Sequence, residues 1–209
     1  MKIVLASNSP RRKELLAGLG LDYEVRTLQG LDESYPEGLS MEEIPQYISR
    51  KKAAAYTLQP DELLITADTI VYLEGEVLGK PADETEAKEM LRKLSSKTHQ
   101  VVTGVTLKAS PDPSKGGENG GNKTPSLLER DGVRLHSFAC VSQVTFAQLS
   151  EAEIDHYVTH YHPLDKAGAY GIQEWIGYIG VTSLEGSYFN VMGLPVQRLY
   201  SEMKKLNLI

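Results

Sequence analysis

The first twenty residues combine two local patterns that together restrict the fold. Ile3-Val4-Leu5 is a short apolar run typical of a buried strand, and Ser9-Pro10 predicts a helix that ends just before Gly20. Serine at the N-cap accepts a hydrogen bond from a free backbone N–H, and proline at the first helical position has no N–H to leave unpaired. A strand that leads at once into a helix is typical of folds that mix the two.

Helix and strand signals alternate along the rest of the chain. Capping patterns of the form Ser/Asp-x-x-Glu predict helix starts, and runs rich in branched apolar residues predict strands. The predicted helices are 10–19, 40–58, 83–94, 150–160 and 195–206, and the predicted strands are 3–5, 23–28, 62–73, 77–78, 99–108 and 137–146, with further strands and turns over 176–191. We therefore expect a mixed α/β fold in a single domain, 1–209. Residues 109–133, rich in Gly, Pro, Ser and Asn, are expected to be a flexible loop insertion.

Charge and hydropathy exclude several function classes. The net charge is −6, and an acidic chain lacks the positive surface that non-specific nucleic-acid binding requires. No apolar run approaches the roughly 18 residues of a membrane span. Cys140 is the single cysteine of the chain, so a disulfide within the chain cannot form. We expect a cytoplasmic protein that binds neither nucleic acid nor membrane.

The residues after the predicted N-cap oppose the helix dipole. Arg11 and Arg12 stand where Asp or Glu would be favoured. Free N–H groups at a helix start and planar guanidinium groups both bind phosphate oxygens. A phosphate site made by Ser7, Ser9 and the arginines is therefore one interpretation. The alternative is that the arginines lie on a solvated helix face.

Asp68 lies inside the apolar run "LLITADTIVYL". A carboxylate in such a run is costly unless it is paired, bound to metal, or placed at a strand end. A general base or a metal ligand would account for it. The alternative is an aspartate that caps a turn at the end of the strand.

Four further residues are candidates with weaker local signals. Lys80 follows a glycine in "LGKP", Lys52 lies in a predicted helix, and Glu33 lies in a loop. Each of these three alone is more typical of a solvated surface. Gln173 ends the small-residue segment "LDKAGAYGIQ", which suits either a pocket wall against a flat ligand or a tight turn. Its amide offers a donor and an acceptor, as recognition of a base edge requires.

Taken together and in this order, eight segments resemble the Maf family of nucleotide pyrophosphatases. They are "LASNSPRRKELL", "DES", "KKAAA", "ADTIV", "LGKP", "THQVVTGV", "LDKAGAYGIQ" and "EGSYFNVMGLP", and Ser-x-Ser-Pro-Arg-Arg is the most specific motif. The resemblance covers nearly the whole chain. It implies an elongated mixed α/β fold of two lobes with a central cleft, similar to the inosine-triphosphate pyrophosphatases.

The same resemblance implies hydrolysis of a nucleoside triphosphate to the monophosphate and pyrophosphate, with Mg²⁺ or Mn²⁺. The form "DKAGAYGIQ" is similar to the branch that acts on dTTP and UTP, and the family suggests a homodimer. By matching position, Asp68 is the proton acceptor, Arg11, Thr69 and Gln173 select the base, and Ser7, Arg12, Glu33, Lys52 and Lys80 line the phosphate and metal site. Asp68 and Glu33 are the expected metal ligands, and whether Asp68 acts mainly as base or as ligand stays open. The alternative function is a nucleotide-binding regulator of septum formation.

Two features depart from the family pattern. Many members have glycine after the matched glutamine, whereas this chain has Glu174 and then Trp175, which could alter the edge of the pocket. The segment 109–133 is also longer than usual. Since it lies far in sequence from every matched motif, we expect it to leave catalysis intact.

Overall fold

Helices and strands alternate around one mixed sheet. The structure, a computed structural model, describes residues 1–110, 128–130 and 133–209. The helices in these ranges are α1 (Pro10–Ala17), α2 (Glu43–Ala54), α3 (Glu84–Leu94), α4 (Glu151–Tyr161), α5 (Trp175–Gly180), α6 (Tyr188–Met192) and α7 (Val196–Lys205). The strands are β1 (Lys2–Leu5), β2 (Tyr23–Val25), β3 (Glu62–Leu73), β4 (Glu76–Leu78), β5 (Thr98–Ala109), β6 (Leu128–Arg130), β7 (Val133–Phe146) and β8 (Val181–Glu185). The predicted mixed α/β class is confirmed, and most of the predicted insertion at 109–133 lies outside the described residues.

The sheet combines parallel and antiparallel pairs. Its strand order is β2-β1-β3-β5-β7-β6, with β4 paired to β3 and β8 paired to β7. β1 runs parallel to both neighbours, and Val4 lies opposite Glu24 of β2 and Leu64 of β3. Parallel neighbours need a crossover connection, which α1 supplies between β1 and β2. The β3–β4 hairpin turns through Glu74 and Gly75, both with positive φ.

The chain divides into two compact units. The first comprises Met1–Asp68, Gly104–Ala139 and Val196–Ile209, and the second comprises Thr69–Thr103 and Cys140–Pro195. None of the helices within the described ranges is both long enough and apolar enough to cross a lipid bilayer.

In the first unit, one face of β5 fixes the start of α2. A Cβ atom added at Gly104 would lie 2.3 Å from the carbonyl carbon of Pro45 and 2.4 Å from the backbone nitrogen of Gln46. Two residues further along β5, Thr106 Oγ1 lies 2.8 Å from Ser49 Oγ in the next turn of the helix. Residues two apart on a strand face the same side, so both contacts belong to one face of β5. The helix therefore packs on β5 with no room for a side chain at Gly104.

The same face of β5 fixes the end of α2. Lys108 Nζ donates to the carbonyl oxygens of Ala53 at 3.1 Å and Tyr56 at 2.5 Å. A cation at the C-terminus of a helix satisfies carbonyl groups that have no partner within the helix and interacts favourably with the helix dipole. Burial lowers the pKa of this lysine. The position of Lys52 along α2 is therefore fixed from both ends of the helix.

A buried histidine lies in the core of the second unit. His99 is 1% exposed, and its Nε2 lies 2.7 Å from the hydroxyl oxygen of Tyr170. The rings of Phe146 and Tyr170 meet the imidazole edge-on. Within the described part of the chain, Nδ1 has no hydrogen-bond partner. Burial lowers the pKa of His99 from 6.5 to about 4, because this environment does not solvate the charged ring.

We expect His99 to make stability fall as the pH drops from about 6.5 to about 4. The unfolded chain takes up a proton on His99 in this window and the folded chain does not. His99 therefore contributes about 3 kcal/mol to the free energy of unfolding above pH 6.5, and this contribution is lost near pH 4. Urea unfolding of the parent and of His99→Leu across this window measures the effect, because other titrating groups cancel in the difference. A difference in unfolding free energy that stays constant with pH would contradict the expectation.

The structure corrects one stretch of the predicted secondary structure. Residues 176–191, expected as strands with turns, contain α5, β8 and α6. Ser187 caps α6 by accepting a hydrogen bond from the Asn190 N–H at 3.3 Å. The apolar residues that follow favoured a strand in the sequence analysis, so this cap was not predicted. Gly177 in α5 lets the backbone of Ile172 approach to a distance that excludes any side chain. Tertiary packing therefore favours helix over the local strand propensity.

Candidate active site

The loop between β1 and α1 is fixed by its own two serines. Ser7 Oγ accepts from the Ser9 N–H at 3.2 Å, and Ser9 Oγ accepts from the Arg12 N–H at 3.4 Å. Pro10 is the first helical residue, and the first turn holds no acidic side chain. The predicted N-cap is confirmed. The helix start is therefore ordered, with a dipole that favours an anion.

Arg12 lies against the sheet rather than on a solvated helix face. Its Nη1 donates to the Ala67 carbonyl oxygen at 2.8 Å, one residue before Asp68 in β3. Burial lowers the pKa of the Arg12 guanidinium, the Asp68 carboxylate opposes this shift, Arg11 adds to it, and Glu33 opposes it. The four charged groups therefore lie close enough to influence one another. For Arg12, the solvated-surface alternative is wrong.

Asp68, Lys52 and Glu33 form one ion-paired group. Asp68 is 8% exposed and lies in the middle of β3, so the alternative of a turn cap at a strand end is wrong. Lys52 Nζ lies 2.7 Å from Asp68 Oδ1 and 2.8 Å from Glu33 Oε1. The lysine side chain is only 12% exposed, so it is not a solvated helix lysine. Two carboxylates thus converge on a single cation.

The donor set of this group fits a hard divalent cation that keeps other ligands. Mg²⁺ usually takes one or two protein carboxylates and completes its shell with water and substrate phosphate oxygens. Asp68 and Glu33 both contact Lys52 Nζ, so their carboxylates lie close enough together to share a cation. In the described ranges, no group of three or more His, Cys, Asp or Glu residues is arranged to hold a metal. The residues present fit an open site shared with a ligand rather than an all-protein cage.

The remaining predicted residues belong to the second unit. Thr69 Oγ1 lies 3.0 Å from Thr103 Oγ1, which donates to the Asn190 carbonyl oxygen at 3.0 Å. Lys80 is exposed and follows Gly79, whose carbonyl oxygen accepts from the Gly168 N–H at 3.0 Å. The turn that carries Lys80 is therefore tied to the small-residue segment.

Gln173 combines partial exposure with a buried amide oxygen. Its Oε1 has no hydrogen-bond partner among the described residues. A buried acceptor of this kind costs free energy until a donor reaches it. Gln173 thus has the open hydrogen-bonding capacity that recognition of a flat polar ligand requires.

Comparison with known proteins identifies the family. The family model described as "Maf-like protein" matches residues 2–206. The chain belongs to the Maf family. The Maf chain is 59% identical over 207 residues to the dTTP/UTP pyrophosphatase of Phocaeicola vulgatus, covering 98% of this chain and 96% of that protein.

Two more distant relatives carry the same name. The Maf chain is 49% identical to the dTTP/UTP pyrophosphatase of Porphyromonas gingivalis strain W83, over 97% of this chain and 93% of that protein. It is 45% identical to the dTTP/UTP pyrophosphatase of Flavobacterium psychrophilum, over 95% and 91%. The family resemblance inferred from the sequence motifs is confirmed.

The structure also places residues of this Maf chain that the sequence patterns did not single out. Lys166 is 7% exposed, and its Nζ lies 2.8 Å from Asp165 Oδ1 and 3.1 Å from Glu174 Oε1. Tyr157 of α4 donates to the other oxygen of Glu174. The lysine inside "LDKAGAYGIQ" was a detectable signal, because a long cation among small residues needs a partner. No sequence signal singled out Tyr157, because it occupies an ordinary buried position of a helix.

Proposed function

We propose that this Maf protein hydrolyses dTTP and UTP to the monophosphate and pyrophosphate. The observation that carries the proposal is the ion-paired group of Lys52, Asp68 and Glu33. Arg12 of α1 lies beside it and donates to the carbonyl oxygen of Ala67, the residue before Asp68 in β3. Relatives that match over almost the whole chain bear the name dTTP/UTP pyrophosphatase. A buried carboxylate among cations suits chemistry on a polyanion better than simple anion binding, since a carboxylate alone repels phosphate.

Phosphate binding falls to the cations and to the ordered helix start. Arg12 offers a planar fork for two phosphate oxygens, and Lys52 and Lys80 act as point charges. Ser7 and Ser9 keep the β1–α1 loop in shape, and their hydroxyl groups can also donate to an oxygen. A bound phosphate at the helix start would interact favourably with the helix dipole and would offset the unfavourable charges of Arg11 and Arg12.

The reaction is attack of water on the α-phosphorus. Asp68 takes the proton of the attacking water, a new P–O bond forms, and the bond to the β-phosphate bridging oxygen breaks so that pyrophosphate leaves. Lys52 orients the Asp68 carboxylate and, with Arg12, neutralises charge that builds on the leaving group. Mg²⁺ or Mn²⁺ held by Asp68 and Glu33 would supply further charge neutralisation.

Base selection is assigned to Arg11, Thr69 and Gln173. Support comes from their match to the Maf pattern and, for Gln173, from its unpartnered buried amide oxygen. We further propose a homodimer in the cytoplasm, which the family resemblance and the single cysteine support.

Arg12→Ala is expected to weaken nucleotide binding more than it slows turnover. Loss of a two-pronged anion contact should raise KM for UTP by about 10- to 100-fold. Steady-state kinetics measures the change, and Lys13→Ala is the matched control because it removes one charge from the next residue of α1. Equal kinetic constants for Arg12→Ala and the parent would exclude the phosphate contact.

A substrate panel tests the proposed function. The protein is incubated with dTTP, UTP, ATP and 7-methyl-GTP, each with Mg²⁺ or Mn²⁺, and released pyrophosphate is measured. We expect kcat/KM to be higher for dTTP and UTP than for ATP and 7-methyl-GTP. Binding of these nucleotides without any pyrophosphate release would favour a regulatory nucleotide sensor instead.

A further inference from the structure

The segment from Asp165 to Glu174 is tied together by a buried ion pair. Lys166 lies between the carboxylates of Asp165 and Glu174, and only Glu174 is itself largely shielded, with 20% of its side chain exposed against 56% for Asp165. The pair joins residues at the two ends of the segment.

Tyr157 adds a second tie to the same segment. Its hydroxyl group donates to Glu174 Oε2 and accepts from the Gly171 N–H at 3.0 Å. The tyrosine is fully buried in α4. Glu174 therefore uses one oxygen for Lys166 and the other for Tyr157, and its carboxylate cannot move without breaking one of these contacts.

These ties bear directly on Gln173. A Cβ atom added at Gly171 would lie 2.9 Å from Gln173 Nε2 and 2.9 Å from Glu174 Cδ, so both side chains pack on the bare backbone of Gly171. Gln173 therefore places its amide group in space that a side chain at position 171 would fill. Its Oε1 is the atom left without a partner among the described residues.

We propose that Glu174 is a positioning residue that holds Gln173 so that its Oε1 accepts a hydrogen bond from the imide N3–H of uracil or thymine. The inference rests on the proposed function and extends it to the recognition of one base edge. Uracil and thymine carry a donor at N3, whereas cytosine carries an acceptor there, which faces a fixed acceptor unfavourably. A fixed amide distinguishes the two, and an amide free to rotate would satisfy either.

Binding and kinetics of Glu174→Gln test the proposal. The substitution keeps the shape of the side chain and an acceptor for Tyr157 but removes the charge that pairs with Lys166. Titration calorimetry with UMP and CMP should show the preference for UMP reduced by about tenfold, and KM for UTP should rise about tenfold with kcat within about threefold of the parent. Glu174→Asp keeps the charge and should stay closer to the parent in both readouts.

Matched variants separate positioning from general damage. Glu185→Gln makes the same change on the exposed strand β8 and should match the parent. Tyr157→Phe removes the hydrogen bond from the tyrosine to Glu174 and should also lower the preference for UMP. It takes the place of Glu174→Gln if that variant does not fold. Equal losses of UMP and CMP binding, or an unchanged preference in a folded variant, would overturn the proposal. Pyrophosphate release by the parent reports on the proposed function alone, whereas monophosphate binding reports on Glu174 whether or not turnover occurs.

Discussion

The Asp68→Asn variant is expected to release pyrophosphate from dTTP or UTP at least about 10²-fold more slowly than the parent protein. Asparagine matches the shape of aspartate but accepts no proton and binds a divalent cation weakly. The side chain is buried in the middle of β3, where solvent water cannot easily replace its function. Lys52 keeps Glu33 as a partner 2.8 Å away, so the variant should still fold.

Asp32→Asn is the matched control for that experiment. Asp32 carries the same charge one residue before Glu33, and it pairs with Lys51 at 2.6 Å on the exposed side of α2. This variant should retain the activity of the parent, because its carboxylate lies outside the ion-paired group of Lys52. Pyrophosphate release by Asp68→Asn at a rate near that of the parent would remove Asp68 from the proposed mechanism.

Gly104→Ala is expected to lower the free energy of unfolding by about 3 kcal/mol or more. The new methyl group would meet the backbone of Pro45 and Gln46 at 2.3 to 2.5 Å, and backbone atoms cannot rotate away as a side chain can. Relief requires α2 to shift on the sheet. Because α2 carries Lys52, any folded fraction should also lose activity.

Urea unfolding measures this effect, with Gly79→Ala as the control. Gly79 is exposed, its φ is not positive, and an added Cβ would meet nothing within 4 Å. Its unfolding free energy should stay within about 0.5 kcal/mol of the parent. A Gly104→Ala protein as stable as Gly79→Ala would show that the contact between β5 and α2 is not as close as described.

Local chemistry accounts for the parts of the fold that the sequence predicted well. Ser9 and Ser150 are cap residues whose partners lie three residues away, and both caps are confirmed. The strand 62–73 was predicted with its observed ends, because an apolar run bounded by a turn needs no information from elsewhere in the chain. The prediction of strands over residues 176–191 was wrong. The helices observed there depend on close packing at Gly177 and on a helix cap within an apolar stretch.

The contacts within the candidate site depend on the tertiary structure and not on local sequence patterns. Lys52 and Asp68 lie sixteen residues apart on different elements, and no local pattern predicts their 2.7 Å contact. The family resemblance assigned both residues to one site but did not predict that they form an ion pair. The hydrogen bond between Tyr157 and Glu174 was not predicted, because it joins residues seventeen positions apart, one in a helix and one in an irregular segment.

Hydrolysis of UTP in water enriched with ¹⁸O shows which phosphorus atom the water attacks. Attack on the α-phosphorus places one ¹⁸O atom in UMP and leaves pyrophosphate unlabelled, and mass spectrometry of both products shows where the label resides. We expect the label in UMP, with unlabelled pyrophosphate as the only other product. Formation of UDP and inorganic phosphate, or label in pyrophosphate, would contradict it.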